Sequence, residues 1–379
     1  MAVEPGSVEF ALILCYVLPS PTWGMHQYTA DLAGRMARAG HQVHLVTTRR
    51  APLARYGPGV ELHTPIGVRS SGFGPDALRP RDYRRLGRAV VELAPDLVHI
   101  TGPHLWNPGL LKWLRRAGVP TVHTLHDLHP HHGAVYGRLL YLWNRQVRDS
   151  ADGLLVHGER YRQELRTQGL PSSRVTCTPL THLFLSQERE AALRRSPPEV
   201  SYEPWALFLG RLEAYKGLDV LTQAARMLGQ ARVVIAGPGP LDRQIAGPLP
   251  ANVEVRNRLI GDEEALDLFC RCGLVVLPYL EASQSALVAA AYFFRKPVVV
   301  SRVGALPEYV QEGQTGWVAP PGDAQALAHT LASALGDPQR LARMGAAGRA
   351  WYEEQRAAEE QALQDAYARL AGRNRPAEE

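Results

Sequence analysis

The sequence predicts an α/β protein of two doubly wound domains that face each other across a cleft. Three observations carry this expectation. The chain has 379 residues, and a single hydrophobic core stops growing near roughly 250–300 residues. Short apolar runs alternate with amphipathic stretches, in a series of five in each half. Between the halves stands Leu193–Pro204 (LRRSPPEVSYEP), proline-rich and without periodicity, as expected of a linker.

The first half, residues 1–195, offers FALILCYVL (10–18), HQVHLVTT (41–48), DLVHI (96–100), TVHTLH (121–126) and GLLVHG (153–158). Near-continuous apolar runs of this length read as strands of a parallel sheet covered on both faces. Tyr28–Arg38 and Arg81–Leu93 between them have helical spacing. Residues 196–204 are the linker. The second half, residues 205–352, repeats the rhythm with ALFLG (206–210), RVVIAG (232–237), VEVRN (253–257), GLVVLP (273–278) and KPVVVS (296–301). Asp323–Leu335 and Pro338–Tyr352 read as helices. Residues 353–379 read as a polar helical tail with a frayed end, placed to pack back on the first domain.

Composition excludes several classes. Apolar residues make 45% and charged residues 21% of the chain, ordinary for a globular protein. Ala11–Leu18 is too short to span a membrane, and Glu4 and Glu9 precede it where a signal peptide carries positive charge. The four cysteines are scattered, which suits a reducing cytoplasm and neither zinc nor a disulfide framework. Net charge is +5, unevenly placed: residues 1–195 hold 24 Lys and Arg against 15 Asp and Glu, or +9, and the rest hold 18 against 22, or −4. Such asymmetry bears on partners rather than fold.

Ligands of open α/β sheets bind beyond the carboxyl ends of the strands, so motifs that directly follow strands matter most. FLGRLEAYKGLDVL places Gly210, Arg211, Lys216 and Gly217 after one strand. Two cations there, with glycine allowing close backbone approach, suit an anionic ligand such as a diphosphate. IAGPGP (235–240) lacks the third glycine of a dinucleotide fingerprint, which disfavours a nicotinamide dehydrogenase. RNRLIGDEEALDLF (256–269) starts a helix near Asp262. YLEASQSALVAAAYFF (279–294) puts Glu281, Gln284 and Ser285 before a helix that is apolar all round and therefore buried. His123, His126, His129, His131 and His132 crowd ten residues, but without regular ligand spacing on a helix, so no metal is expected. Strand alternation turns His123 away from His126.

The series GRL-x3-KG, AGPGP, LPYLEASQS, KPVVVSRVGALPE and TGWVAPPGD, with PTWGMHQYTADLAGRMARAGHQVHLVT and TVHTLHD before it, resembles the retaining family-4 glycosyltransferases of the GT-B fold. That fold pairs two Rossmann-like domains. The resemblance spans roughly residues 10–350. It implies that Arg211 and Lys216 bind the donor diphosphate, that His126 faces the donor sugar, and that Glu281 is the first acid of a Glu-x7-Glu signature near the sugar hydroxyls. It implies that Gly24, in the first loop, approaches the donor through its backbone, although Trp23 stands where a second glycine is usual. Arg258, Leu259 and Ile260 would border the base. Gly210 would lie under the phosphate, and Gln284, Ser285, Ala286 and Leu287 would open the helix whose start supplies backbone donors.

The second acid of the signature is absent, with Ala289 in its place. A charge-assisted hydrogen bond to ribose is worth about 1.5–3 kcal/mol, so its loss weakens a site without abolishing it. The implied chemistry is front-face: a donor phosphate oxygen helps deprotonate the acceptor, with neither protein nucleophile nor metal, and the co-substrate is a nucleoside diphosphate sugar. A catalytically silent subunit that binds a glycan or a partner transferase, and a sugar-nucleotide epimerase, remain alternatives. Acceptor loops are expected at Pro19–His26, Ile66–Pro80 and Gly102–Asn107. The five arginines of Leu78–Arg88 (LRPRDYRRLGR), with Arg115 and Arg116, suggest a glycan or lipid-linked, anionic acceptor and peripheral association with the inner membrane face. Nucleic acid is not expected, because no aromatic-lined basic groove accompanies the charge.

Overall fold

The computed structural model describes residues 11–129, 137–229, 231–241, 245 and 247–372. His131 and His132 of the histidine run, and the last seven residues of the expected tail, lie outside them.

The described residues form two parallel sheets. The first has seven strands: β1 (Ile13–Leu18), β2 (Gln42–Thr48), β3 (Val60–Ile66), β4 (Leu97–Ile100), β5 (Thr121–Thr124), β6 (Gly153–Val156) and β7 (Val175–Cys177). Their order is β3-β2-β1-β4-β5-β6-β7. The second has six: β8 (Trp205–Leu209), β9 (Arg232–Ala236), β10 (Val253–Arg256), β11 (Leu274–Leu277), β12 (Val298–Ser301) and β13 (Gly316–Ala319), in the order β10-β9-β8-β11-β12-β13. Each order reverses beside the first strand of its sheet, and such a reversal opens a ligand crevice at the carboxyl ends.

Helices cover the first sheet: α1 (Trp23–Arg38), α2 (Pro80–Glu92), α3 (Asn107–Arg116), α4 (Gly137–Ser150), α5 (Glu159–Thr167) and α6 (Gln187–Arg195). The second carries α7 (Leu218–Arg226), α8 (Asp262–Arg271), α9 (Ala286–Phe293), α10 (Ala324–Leu335) and α11 (Pro338–Gly372). Three strands are absent from the sequence reading. β3, β7 and β13 are short or lie at sheet edges, and β3 (VELHTPI) alternates polar with apolar residues, so none is a continuous apolar run. α1 also begins earlier than expected, at Trp23. Gly24 therefore sits in the first helical turn and not in a loop.

The tail joins the two domains. α11 is one helix of 35 residues, unfrayed to Gly372. Its first part packs on α9, where a Cβ on Gly345 or Gly348 would strike the Arg295 carbonyl or the Tyr292 ring. Its second part lies on the first domain. Tyr367 stacks near His99 and donates or accepts hydrogen bonds with Tyr16 and His99. Arg356 holds the Asp31 carboxylate, and the buried Arg35 meets Glu359 at 2.9 Å and Asp31 at 3.2 Å. Thr181 donates to Glu359, and Glu190 lies 3.5 Å from Arg356. Polar residues of the tail thus face inward because the partners on α1 are charged.

Burial alone would raise the Asp31 carboxyl, but Arg356 and Arg35 override it and hold the group below the carboxylate range. At Glu359 burial prevails over both arginines, and the carboxyl is raised. Between β7 and β8 the linker is pinned by Lys296, whose buried ammonium donates to the Ser201 and Cys270 carbonyls.

Removing one partner of a buried ion pair strands the other, at about 3–5 kcal/mol. Arg356→Met is therefore expected to lower stability toward that order, since Arg35 alone would be left to balance the buried Asp31 and Glu359. A denaturant melt unchanged from wild type would show that the cluster contributes nothing.

Candidate active site

The carboxyl ends of the second sheet converge through close backbone contacts. At Gly237, after β9, φ is +141°, and a Cβ would lie 2.0 Å from the Gly210 carbonyl oxygen after β8. At Gly217 φ is +66°, and a Cβ would lie 2.0 Å from the Pro278 carbonyl oxygen after β11. Only glycine tolerates these approaches and these dihedrals together. The loop after β8 is thereby pressed against the loop after β11, with Leu280 N–H donating to the Tyr215 carbonyl at 2.7 Å and Glu281 N–H reaching it at 3.4 Å.

Lys216 occupies that junction. It is 8% exposed. Its Nζ lies 5.3 Å from the Tyr279 ring centre, 5.8 Å from Phe208 and 5.9 Å from Tyr215. A Cβ on Gly210 would sit 2.9 Å from this ammonium, so glycine clears the space above the strand end. Among the described residues the ammonium has aromatic faces around it but neither a hydrogen-bond acceptor nor a counter-ion. Arg211 stands at the mouth, 70% exposed, its guanidinium 2.5 Å from Glu213. Leu287 approaches Gly210 from α9. Ser285 caps α9, its hydroxyl accepting from Leu287 N–H at 3.4 Å. Glu281 is half-buried and engaged with a partner.

His126 comes from the other domain. Its Nε2 lies 2.9 Å from the Thr101 carbonyl, so that nitrogen carries the proton, and its ring packs edge-on to Tyr28 at 4.9 Å. Burial lowers its pKa, which keeps the ring neutral. Its carbonyl accepts from Gln284 Nε2 at 3.4 Å, so two of the expected site residues meet across the domains. His126 and His123 both line a small cavity of about 90 Å³ with Phe73, Leu140 and Trp143. The expectation that His123 turns away does not hold. β5 ends at Thr124, and strand alternation stops there.

Other expected residues stay apart. Gly24 has open space around it and no contact with the second domain among the described residues. Arg258 is clamped by Glu264 at 2.6 and 2.8 Å, and Leu259 is 79% exposed. Ile260 is half-buried, and Ala286 lies in the first turn of α9.

Known proteins place this arrangement. The sequence model described as Glycosyl transferase 4-like domain matches residues 24–181, and that described as Glycosyl transferases group 1 matches residues 203–337. The chain belongs to the family-4 glycosyltransferases. A D-inositol 3-phosphate glycosyltransferase of Mycobacterium sp. (strain KMS) is 29% identical to it, over 82% of this chain and 77% of the relative. Sucrose-phosphate synthase from Thermosynechococcus elongatus aligns with a TM-score of 0.77 at 18% identity, covering 95% of this chain and 99% of that one. Anabaena HepE, in complex with UDP and glucose, aligns with a TM-score of 0.70 at 19% identity, covering 95% and 100%. The fold is GT-B, with two Rossmann-like domains.

The glycosyltransferase also uses residues that the sequence reading missed. Glu308 accepts hydrogen bonds from Glu159 N–H (2.5 Å) and Arg160 N–H (3.1 Å), capping α5 of the first domain from the second. The Arg160 guanidinium donates to the Gly304 carbonyl at 2.8 Å, and Tyr161 hydroxyl to the Ser283 carbonyl at 3.2 Å. Tyr309 hydroxyl accepts from Leu180 N–H and donates to the His157 carbonyl. No local pattern marks these residues, because each partner is more than 100 positions away. A second missed feature is an open basin of about 850 Å³ beyond β2 and β3, lined by Arg49, Arg50, Arg69 and Arg79. Asp76, in its wall, is occupied with Ser70 and the Arg69 N–H, and no described carboxylate pairs with Arg49, Arg50 or Arg69.

Beneath the first-domain rim lies a core of buried histidines. Tyr28 contacts His126, His157 and His182, and His99 bonds Thr124 and Tyr367. Burial pushes His99, His123 and His182 down to about 3, and His26 and His104 down to about 4. Each lies below the unfolded value of about 6.5, so between the two values the unfolded chain binds more protons. Stability is complete above pH 6.5 and is lost as pH falls toward 4. Thermal melts are expected to drop steeply across pH 6.5–4.5, above the carboxylate range. A flat profile there would mean the histidines titrate normally when folded.

Proposed function

We propose that the protein moves a hexosyl group from a nucleoside diphosphate sugar to a glycan or lipid-linked, anionic acceptor, with retention at the anomeric carbon. The observation that carries the donor site is the ammonium of Lys216, which is largely buried among three rings and has neither hydrogen-bond acceptor nor counter-ion among the described residues. A buried cation without a counter-ion is costly, and the donor diphosphate is the anion that offsets the cost. Arg211 at the mouth can exchange Glu213 for the outer phosphate. That HepE was captured with UDP and with UDP-glucose makes uridine diphosphate sugars the first donors to test.

In the reaction the bond from anomeric carbon to phosphate oxygen breaks, and the acceptor oxygen bonds to the same face of that carbon. The acceptor proton passes to the departing phosphate oxygen. Negative charge grows on the diphosphate, where Lys216 and Arg211 stabilise it most in the transition state. His126, neutral and anchored through Nε2, supports the sugar from the first domain, and Gln284 fixes its backbone.

Lys216→Ala is expected to weaken UDP binding about tenfold to a hundredfold, the worth of a charge-assisted hydrogen bond, and to lower transfer at least as much. Arg211→Ala should do less to binding, since Arg211 is already exposed and paired. His126→Ala should lower turnover and leave UDP affinity unchanged. Calorimetry with UDP and a product assay separate these outcomes. Normal transfer by Lys216→Ala would remove the assignment.

The acceptor reading rests on the first domain. Its arginine basin opens on the carboxyl rim of the same sheet that carries His126, and Arg79, Arg81, Arg84, Arg85 and Arg88 are all exposed along α2 and its approach. Each basic residue near an anionic leaflet contributes about 1 kcal/mol. Among the described residues no helix is long and apolar enough to cross a membrane, so association would be peripheral. Co-sedimentation with vesicles of graded anionic lipid should rise with lipid charge and fall with salt. Absence of binding at low salt would leave the arginines as solvent-facing residues.

A further inference from the structure

The edge of the first sheet carries a second cluster, outside the cleft. β3 is the edge strand, and it pairs with β2 in a register that sets Glu61 beside His44. His63 follows Glu61 by two residues and so shares its face. His44 Nδ1 lies 3.2 Å from His63 Nε2 and 3.3 Å from a Glu61 carboxylate oxygen. His63 Nε2 lies 3.5 Å from the other Glu61 oxygen.

Hydrogen bonding cannot satisfy these three contacts together. The ionised carboxylate only accepts. If both facing imidazole nitrogens carry protons, the contact between the two rings is donor against donor. If either nitrogen is bare, its contact with Glu61 is acceptor against acceptor. Every protonation state with Glu61 ionised leaves one contact of like against like.

We propose that His44, Glu61 and His63 form a zinc-type metal site with one open position for water. A divalent ion turns all three lone pairs to use. Ligand atoms about 2.0–2.1 Å from a tetrahedral zinc stand about 3.3 Å from one another, close to the 3.2 Å between the two nitrogens and the 3.3 Å from His44 to one Glu61 oxygen. Because His63 faces the other oxygen at 3.5 Å, the exposed carboxylate would turn to present one oxygen to the ion. Two imidazoles with one carboxylate suit zinc and its first-row neighbours rather than calcium or magnesium. The other nitrogen of His44 lies 3.1 Å from the Gln42 side-chain nitrogen. With a metal on Nδ1 that ring nitrogen carries the proton, so the amide must turn over to present its oxygen as the acceptor that orients a metal-bound histidine. His44 is buried, His63 is 26% exposed and Glu61 is 63% exposed, so the ion would enter from the sheet edge. The ligands stand early in their strands, away from the carboxyl rim. The ion would therefore fasten the edge strand to its neighbour rather than take part in sugar transfer.

The test uses full-length protein treated with chelator, dialysed, and titrated without nucleotide. Calorimetry with Zn2+ is expected to show one equivalent per chain, and Co2+ to give an absorption spectrum of tetrahedral intensity. Zn2+ should also raise the melting temperature. His63→Ala removes a partly exposed ligand, so folding should survive, as far-ultraviolet circular dichroism checks. Affinity in that variant should fall more than roughly a hundredfold, the upper end of what loss of a mere supporting partner does. Glu61→Gln should weaken binding as well. No stoichiometric binding by the wild type would overturn the proposal. So would one equivalent bound by both variants with wild-type affinity, since that would put the metal elsewhere.

Discussion

The relation of the two domains depends on one buried arrangement of charge. Asp31 and Arg35 on α1 face Arg356 and Glu359 on α11, all four nearly without solvent contact. Removing one partner leaves an ion where ions are expensive, so the four are kept or lost together. α11 begins on the second domain and ends on the first. The charges therefore fix where the helix lands, and the helix fixes how the two carboxyl rims face each other. Hydrophobic packing alone would permit sliding of one helix along the other. A set of four matched charges permits one register.

From that register the cleft follows. Glu308 caps α5 across the gap, and Gln284 reaches the carbonyl of His126. The loop after β8 can then press against the loop after β11 only because Gly217 lacks a Cβ, and against the loop after β9 only because Gly237 does. Only three of the 42 basic residues are lysines, Lys112, Lys216 and Lys296. Both lysines of the second domain are buried. Lys296 points a compact ammonium at two carbonyls, and Lys216 fits one between three rings. A planar guanidinium is wider and demands more donors' worth of partners. Lys112 is exposed, so these two are the lysines whose buried settings suit a compact ammonium better than a guanidinium.

Much of this was legible in the sequence, and the reason differs by element. Buried parallel strands such as β1 and β12 are continuous apolar runs, so their positions follow from hydropathy. β3 escaped because an edge strand shows polar residues to water, and β7 because it is three residues long. The loop proposed to hold the diphosphate stood out in the sequence because strand, glycine and cation lie within eight residues. The capping of α5 by Glu308 was not, nor the arginine basin, because each joins segments far apart in the chain. The polar contacts that dock the tail were not legible for a related reason: Arg356 and Glu359 meet Asp31 and Arg35 only in the folded chain.

Ala289 and Lys216 make opposite choices about the same difficulty. Ala289 is completely enclosed on α9, between Val288 and Ala290, which are buried too. A glutamate there would place an ionised group on an apolar helix and would be compensated only while ligand hydroxyls were bound. Its absence stabilises the empty protein and, on the proposed reading, gives up about 1.5–3 kcal/mol of ribose contact. Lys216 is present although among the described residues it too has no counter-ion when the site is empty. The difference lies in what each contact does during the reaction. A ribose hydrogen bond is the same in ground and transition state, so it raises affinity without raising turnover. A cation at the diphosphate gains strength as charge develops there. On the proposed reading, the group that stabilises the transition state is present at the expense of the empty state, and the group that only binds is not.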